Sequence, residues 1–265
     1  MAKATKDRKL LLCFDFDGTF IDPSNPEHLD PELKHMLELT RELGAIFVIN
    51  TGRSLFDAVS GITHTGLRDF PDYLVTCERE IYEPNAFRRW IDFGKWNRHC
   101  RKDHEKLFHR HRRLLQKIKD FVEAHSGAQW ISEPEEPAGI IADTNAEMDK
   151  FCQFIDQQII ETDARQLAYE RNTIYLRFSH SKYNKGSALR EIGRKINIAP
   201  PEIFAIGDNY NDLTMLQETI ASMIACPGNS IPEIKAEITG RGGYVSAKDY
   251  GAGAAEALAH FFATT

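Results

Sequence analysis

Four carboxylates draw attention by their spacing. In "CFDFDGT", residues 13–19, the apolar run "LLLCF" stops on Asp15 and Asp17, with Gly18 and Thr19 directly behind. In "AIGDNYND" a second apolar run stops on Asp208, and Asp212 follows four residues later. Side chains two apart in a strand point to the same side, while a chain leaving its strand lets them diverge around a small shared ligand. Close carboxylates in a poorly solvated place need a cation, a shared proton or both, because like charges raise each other's proton affinity. One such pair has an ordinary alternative, solvated acids at a strand end; a second cluster at a second strand end shifts that balance. Three or four acids at the ends of two strands make an all-oxygen site, which favours Mg2+ over metals that prefer sulfur or imidazole.

Phosphate is the group that uses the neighbouring features. Thr51, Gly52 and Arg53 follow the apolar run "AIFVIN", where a hydroxyl and successive backbone N–H groups can take phosphoryl oxygens. Lys185 and Gly186 open an expected helix, joining a mobile cation to unpaired N–H donors. Each is unremarkable alone, since a Thr-Gly turn is usually only a turn and a helix-terminal lysine is usually solvated. They are informative because they fall at strand ends beside the acids.

The elements that would position these groups alternate. "KLLLCFDF" reads as a strand, and "DPELKHMLELTRELG" as a helix with Leu33, Met36, Leu37, Thr40 and Leu43 on one face. Asp30 is its expected N-cap, Pro31 its first residue and Gly44 its stop. "AIFVIN", a short helix near 54–61 and "DYLVTC" follow. The pattern resumes after 181 with "NKGSALREIGRKIN" as helix, "EIFAIGD" as strand, "NDLTMLQET" as helix, "ASMIAC" as strand and "GAAEALAHFF" as the last helix. These are the signals of an α/β fold with a mostly parallel sheet. The middle differs: a long helix from about Arg101, strands "AQWIS" and "AGIIAD" around the turn "EPEEP", the helix "NAEMDKFCQFIDQQIIE", and strands "RQLAYE" and "TIYLRFS". That order predicts an α+β insertion with an antiparallel sheet at 84–180, between core segments 1–83 and 181–265.

Composition bounds the rest. The 265 residues are 42% hydrophobic and 27% charged, with a net charge of −6, a globular profile that disfavours a general nucleic-acid surface. Five widely spaced cysteines without a C-x-x-C pair argue against a disulfide scaffold or a thiolate zinc site. The N-terminal apolar run is too short for a secretory signal and nothing approaches a membrane span, so a cytoplasmic location is expected.

Taken together, "DFDGT", "NTGR", the Lys185 segment and "GDNYND" resemble the four ordered motifs of the haloacid-dehalogenase-like superfamily, specifically its phosphatases. The insertion resembles their C2B-type cap, as in Cof-like sugar phosphatases, sucrose-phosphate phosphatases and phosphomannomutases. The resemblance implies a Rossmannoid core and two-step phosphoryl transfer. Asp15 would be the nucleophile and Asp17 the general acid and base. Asp208, with the Asp15 carboxylate and the Asp17 backbone carbonyl, would bind Mg2+, and Asp212 would complete or orient that shell. Lys185 would offset phosphoryl charge, and Thr51, Gly52, Arg53 and Asn211 would hold phosphate oxygens. The implied substrate is a small phosphorylated metabolite, with a carbohydrate phosphate the leading class. A hexose phosphomutase and a non-catalytic phosphometabolite-binding regulator are the alternatives. One departure is evident: after "YLVT", Cof-like chains usually carry Asn-Gly, whereas this chain has Cys77, Glu78 and Arg79, which leans toward the sucrose-phosphate-phosphatase branch.

The insertion holds further candidates. Residues 88–119 contain twelve Lys or Arg and three acids, read as the wet face of an amphipathic helix or as an attraction for an anionic substrate. Trp90, Phe93 and Trp96 lie nearby without a nucleic-acid reading module. His109 and His111 do not share a helical face as ligands three or four apart would. Trp130, Tyr169 and Tyr175 suit either sugar stacking or sheet packing.

Overall fold

A computed structural model describes residues 9–67, 70–125, 127–132 and 138–262. The turn "EPEEP" expected between two insertion strands lies at 133–137, outside the described residues. The chain divides into two compact units, Met1–Phe93 with Lys185–Thr265, and Gly94–Asn184.

The first unit opens with β1 (Leu10–Phe14), α1 (Pro31–Glu42), β2 (Ala45–Asn50), α2 (Leu55–His64), β3 (Tyr73–Thr76), β4 (Glu80–Pro84) and β5 (Trp90–Asp92). The second unit contains α3 (Trp96–Arg110), α4 (Arg112–His125), β6 (Gln129–Ile131), β7 (Gly139–Ile141), α5 (Asn145–Glu161), β8 (Leu167–Asn172) and β9 (Tyr175–His180). The chain then completes the first unit with α6 (Lys185–Ile196), β10 (Ile203–Ile206), β11 (Met223–Cys226), α7 (Pro232–Gly240), β12 (Tyr244–Val245) and α8 (Tyr250–Phe262).

The eight-stranded sheet runs β12-β11-β10-β1-β2-β3-β4-β5. Pairing is parallel from β12 to β3 and antiparallel from β3 to β5. Residues 11–14 of β1 are entirely buried, as a strand covered on both faces must be, and this explains the unbroken apolar run. Phe14, Phe20, Phe47, Phe70 and Phe204 join one core against α1 and α8. Asp30 caps α1 by accepting the N–H groups of Glu32 and Leu33 at 2.8 and 3.1 Å. Because β1 lies between β10 and β2, Phe14 stands level with Ile206 on one side and Ile49 on the other. Three strand ends therefore release Asp15, Asn50 and Gly207 side by side. From β1 the chain winds to β2 on one side and reaches β10 on the other, which is where open α/β sheets gather ligands.

Two sequence expectations are corrected in this unit. The first core segment runs to Phe93 rather than 83, because the β4–β5 hairpin extends the large sheet; its polar strands lack a buried-strand signature. The expected helix at "NDLTMLQET" is a 3-10 turn, Tyr210–Asp212, followed by further turns. There the Asp212 carboxylate folds back onto the N–H groups of Asp208 and Asn209.

In the second unit the antiparallel sheet is ordered β6-β7-β9-β8. Ile140, Leu176 and Phe178 on one face bury Ile118 and Val122 of α4 and Met148, Phe151 and Ile155 of α5. The long helix expected from Arg101 is two helices divided at His111. Among the described residues no helix is long and apolar enough to cross a membrane.

Candidate functional site

Lys185 is the first residue of α6 and fully buried. Its ammonium donates to Asp15 Oδ1 at 2.6 Å and to Asp212 Oδ1 at 2.7 Å. Two backbone contacts set its position. Asn50 Nδ2 donates to the Lys185 carbonyl at 3.0 Å, and the Gly186 N–H donates to Thr214 Oγ1 at 3.1 Å. Gly186 is required here, since a Cβ at that position would lie 2.1 Å from the Thr214 carbonyl oxygen.

Asp212 is wholly committed. Its Oδ2 accepts the N–H groups of Asp208 and Asn209 at 2.9 and 3.0 Å, while Oδ1 receives Lys185. Asp208 Oδ1 accepts the Thr19 hydroxyl at 2.9 Å. Gly18 makes room for this carboxylate: its φ is +84°, and a Cβ there would fall 2.8 Å from Asp208 Oδ2. One oxygen from each of Asp15, Asp208 and Asp212 lies within 4.8 Å of the others.

The electrostatics follow from burial. Loss of water and the charges of Asp212 and Asp208 push the Asp15 carboxyl well above its ordinary range, against the pull of Lys185. Burial and the Asp212 charge push Asp208 up to about 6, partly offset by the Thr19 hydrogen bond. Burial alone would lower Lys185; Asp15 and Asp212 outweigh it and hold the ammonium well above the lysine range. Three carboxylates facing one ammonium leave excess negative charge in a dry place, an all-oxygen arrangement that fits a hard divalent cation.

Asp17 is oriented differently. Its two oxygens accept Arg53 Nε at 2.8 Å and Nη2 at 2.6 Å, and the Arg53 guanidinium lies over the Phe16 ring. The Asp17 carboxylate is thus apart from the acidic triad, held at the partly exposed edge of the site. Thr51 is buried; its Oγ1 accepts the Arg53 N–H at 3.1 Å, which leaves its hydroxyl hydrogen to donate. Gly52 lies between these two residues. Asn211 is buried and donates through Nδ2 to Glu78 Oε1 at 2.9 Å.

Glu78 is the site residue that the motifs did not name. It occupies the β3–β4 turn, where Cys77 and Glu78 both have left-handed backbones, with φ of 47° and 63°. Outside glycine and asparagine that conformation costs roughly 1–2 kcal/mol per residue. The sequence signal was present, since this is the place where Cys77, Glu78 and Arg79 replace Asn-Gly.

Other sequence candidates pack rather than converge. Phe93 is buried against Tyr73, ring centroids 5.7 Å apart, and Trp96 meets Tyr183 edge-on at 5.2 Å. Trp130 lies against Phe178 at 5.8 Å, and the Tyr169 hydroxyl donates to Asp156 of α5 at 3.0 Å. Tyr175 is half exposed and His109 exposed. In the basic segment, Arg110 donates to Gln166, Lys117 to Gln158, and Lys119 pairs with Glu123.

Comparison with known proteins agrees with the geometry. The haloacid dehalogenase-like hydrolase family model matches residues 93–249, and the sucrose-6F-phosphate phosphohydrolase model matches residues 8–129. The sucrose-phosphatase of Synechocystis, solved with sucrose and phosphate, superposes with a TM-score of 0.73 at 22% identity, covering 96% of this chain and 98% of that one. A haloacid dehalogenase-like hydrolase of Bacillus subtilis gives a TM-score of 0.64 at 19% identity, covering 95% and 99%. A Mycoplasma pneumoniae protein with a provisional phosphatase name is 23% identical across 84% of this chain and 88% of its own length. The structural likenesses establish the fold, and the first family match spans more than half of the chain: the protein belongs to the haloacid dehalogenase-like hydrolase family.

Proposed function

We propose that this protein is a Mg2+-dependent phosphomonoester hydrolase that acts through an aspartyl-phosphate on a small phosphorylated carbohydrate. The observation that carries this reading is the buried Lys185 bridging Asp15 and Asp212 beside Asp208, at three adjacent strand ends. Asp15 and Asp208, with the Asp17 backbone carbonyl, would hold Mg2+, and Asp212 would orient that shell. When bound, the ion supplies positive charge against the phosphoryl oxygens.

The chain's own residues supply the rest. Asp15 Oδ attacks phosphorus and the bond to the leaving oxygen breaks; water later attacks the acyl phosphate and returns Asp15. Lys185 spends two of its three N–H groups on Asp15 and Asp212, so the third is open to a phosphoryl oxygen. Thr51 and Asn211 donate to the same group, with Gly52 supplying backbone. Asp17 protonates the leaving oxygen and then takes a proton from water. To do so it exchanges Arg53 for substrate, at a pair that is partly exposed, with side-chain exposures of 27% and 34%.

The carbohydrate class is supported by the sucrose-phosphate phosphohydrolase match over residues 8–129 and by the Synechocystis structure. The second unit, as a C2B-type cap, would choose the leaving group. The test is Mg2+-dependent phosphate release across sugar phosphates, nucleotides and small phosphorylated acids, with Asp15→Asn as the blank. Selective release from sugar phosphates supports the reading. Release by Asp15→Asn at the wild-type rate contradicts it, and isomerisation of a hexose phosphate without phosphate release would make the protein a mutase.

A further inference from the structure

We infer that Glu78 is a positioning residue that fixes the Asn211 amide for phosphate, an inference that rests on the phosphoryl-transfer reading. An asparagine amide has nearly the same shape in its two flipped orientations, so its neighbours decide which end donates. Here the partner is Glu78 Oε1, which accepts from Asn211 Nδ2 at 2.9 Å. An ionised carboxylate only accepts, so this bond selects the orientation with the NH2 end toward Glu78. Asn211 Oδ1 has no hydrogen-bond partner among the described residues, so no second contact competes to set the flip. The other N–H of the same NH2 is then presented in a defined direction.

The turn supports a functional rather than structural role for this side chain. Backbone bonds already fix the turn. The Cys77 N–H donates to the Arg53 carbonyl at 2.9 Å, Glu78 N–H to the Thr51 carbonyl at 3.0 Å, and Arg79 N–H to the Thr76 carbonyl at 3.0 Å. Any residue that tolerates a positive φ satisfies these bonds, and glycine or asparagine would do so with less strain. Instead the chain places a glutamate there, 6% exposed, with Oε2 unpartnered among the described residues. Left-handed non-glycine residues persist where the surroundings over-determine them, and they concentrate at functional sites. The same backbone bonds tie the turn to Thr51 and Arg53, so the carboxylate that holds the Asn211 amide is anchored to the loop that carries those two phosphate-binding candidates.

The carboxylate also opposes a phosphate through its charge, and this must be separated from orientation. A double-mutant cycle does so, because in an Asn211→Ala background only the charge effect remains. The full chain with Mg2+ is titrated calorimetrically with inorganic phosphate, comparing wild type, Glu78→Gln, Asn211→Ala and the double variant. We expect Glu78→Gln to weaken phosphate binding by at least about fivefold more when Asn211 is present than when it is absent. Equal effects in the two backgrounds, within about twofold, overturn the inference. Wild-type affinity in Asn211→Ala overturns it as well. Absence of phosphate binding by the wild type would bring down the phosphoryl-transfer reading itself, and this inference with it. Thermal denaturation of Glu78→Gly supplies the structural control: we expect its Tm within about 4 °C of wild type, or higher, because relieved strain offsets the lost bond. A larger fall would assign Glu78 to holding the fold.

Discussion

Replacing Lys185 by methionine separates the electrostatic account of the site from a purely steric one. The side chain is fully buried and neutralises Asp15 and Asp212 at 2.6 and 2.7 Å. Methionine fills similar space but leaves two buried carboxylates without their cation. Removing one partner of a buried ion pair costs about 3–5 kcal/mol. For a unit of this size each kcal/mol corresponds to a Tm change of roughly 2–4 °C, so a fall on the order of 10 °C is expected at pH 8 in EDTA. The deficit should depend on pH with a definite sign. Carboxyls whose folded pKa is raised contribute stability at low pH and lose it as pH rises through the folded value. Asp15 and Asp208 are already raised in the wild type, and removing Lys185 raises Asp15 further. The variant should therefore approach wild-type stability near pH 5 and fall away above it, while millimolar Mg2+ should recover part of the loss at pH 8. Thermal denaturation followed by circular dichroism from pH 5 to 8, with and without Mg2+, measures this, with the transition of the Lys185-bearing unit tracked separately. A Lys185→Met protein within 2–3 °C of wild type across that range, a shift worth only about 1 kcal/mol, would refute the reasoning.

Other outcomes follow from neighbouring contacts. Because burial raises both Asp15 and Asp208, the latter to about 6, Mg2+ must compete with protons on its ligands: affinity measured by calorimetry should rise with pH through about 6, and an affinity independent of pH between about 5 and 7 would contradict this. Gly186→Ala would set a methyl 2.1 Å from the Thr214 carbonyl oxygen; phosphate release should fall by about a hundredfold, in keeping with misplacement of about 1 Å, while far-UV circular dichroism stays near wild type. Arg53→Ala should alter Tm by no more than about 2–4 °C, since its pair with Asp17 is partly exposed.

The sequence showed the chemistry more clearly than the shape that delivers it. A strand buried on both faces leaves an unbroken apolar run, so β1, β2 and β10 were legible, and with them the acids that follow β1 and β10. So was the α1 cap, because Asp30 and Pro31 act within one turn. Elements defined by distant partners were not. The β4–β5 hairpin carries Glu80, Glu83 and Asp92 at the edge of a sheet and starts from a turn without Asn-Gly. Residues 213–220 have helical composition, yet Asp212 diverts the preceding N–H groups and Gly186 packs against Thr214. Glu78 meets Asn211 across 133 positions, a pairing that no local pattern encodes. The Asp17–Arg53 pair was foreseeable only as a possibility of the turn. Its geometry commits the Asp17 carboxylate to Arg53, while Lys185 pairs with Asp15 and Asp212.

The central claim is that Asp15 carries the phosphoryl group in transit. Rapid acid quenching of the wild-type protein turning over a sugar phosphate with Mg2+, followed by peptide mass spectrometry, tests it directly. The account predicts a hydroxylamine-labile phosphoryl group on the peptide containing Asp15, absent from Asp15→Asn and accumulating when Asp17→Asn slows hydrolysis of the intermediate. A phosphoryl group on another residue, or undiminished turnover by Asp15→Asn, would contradict it.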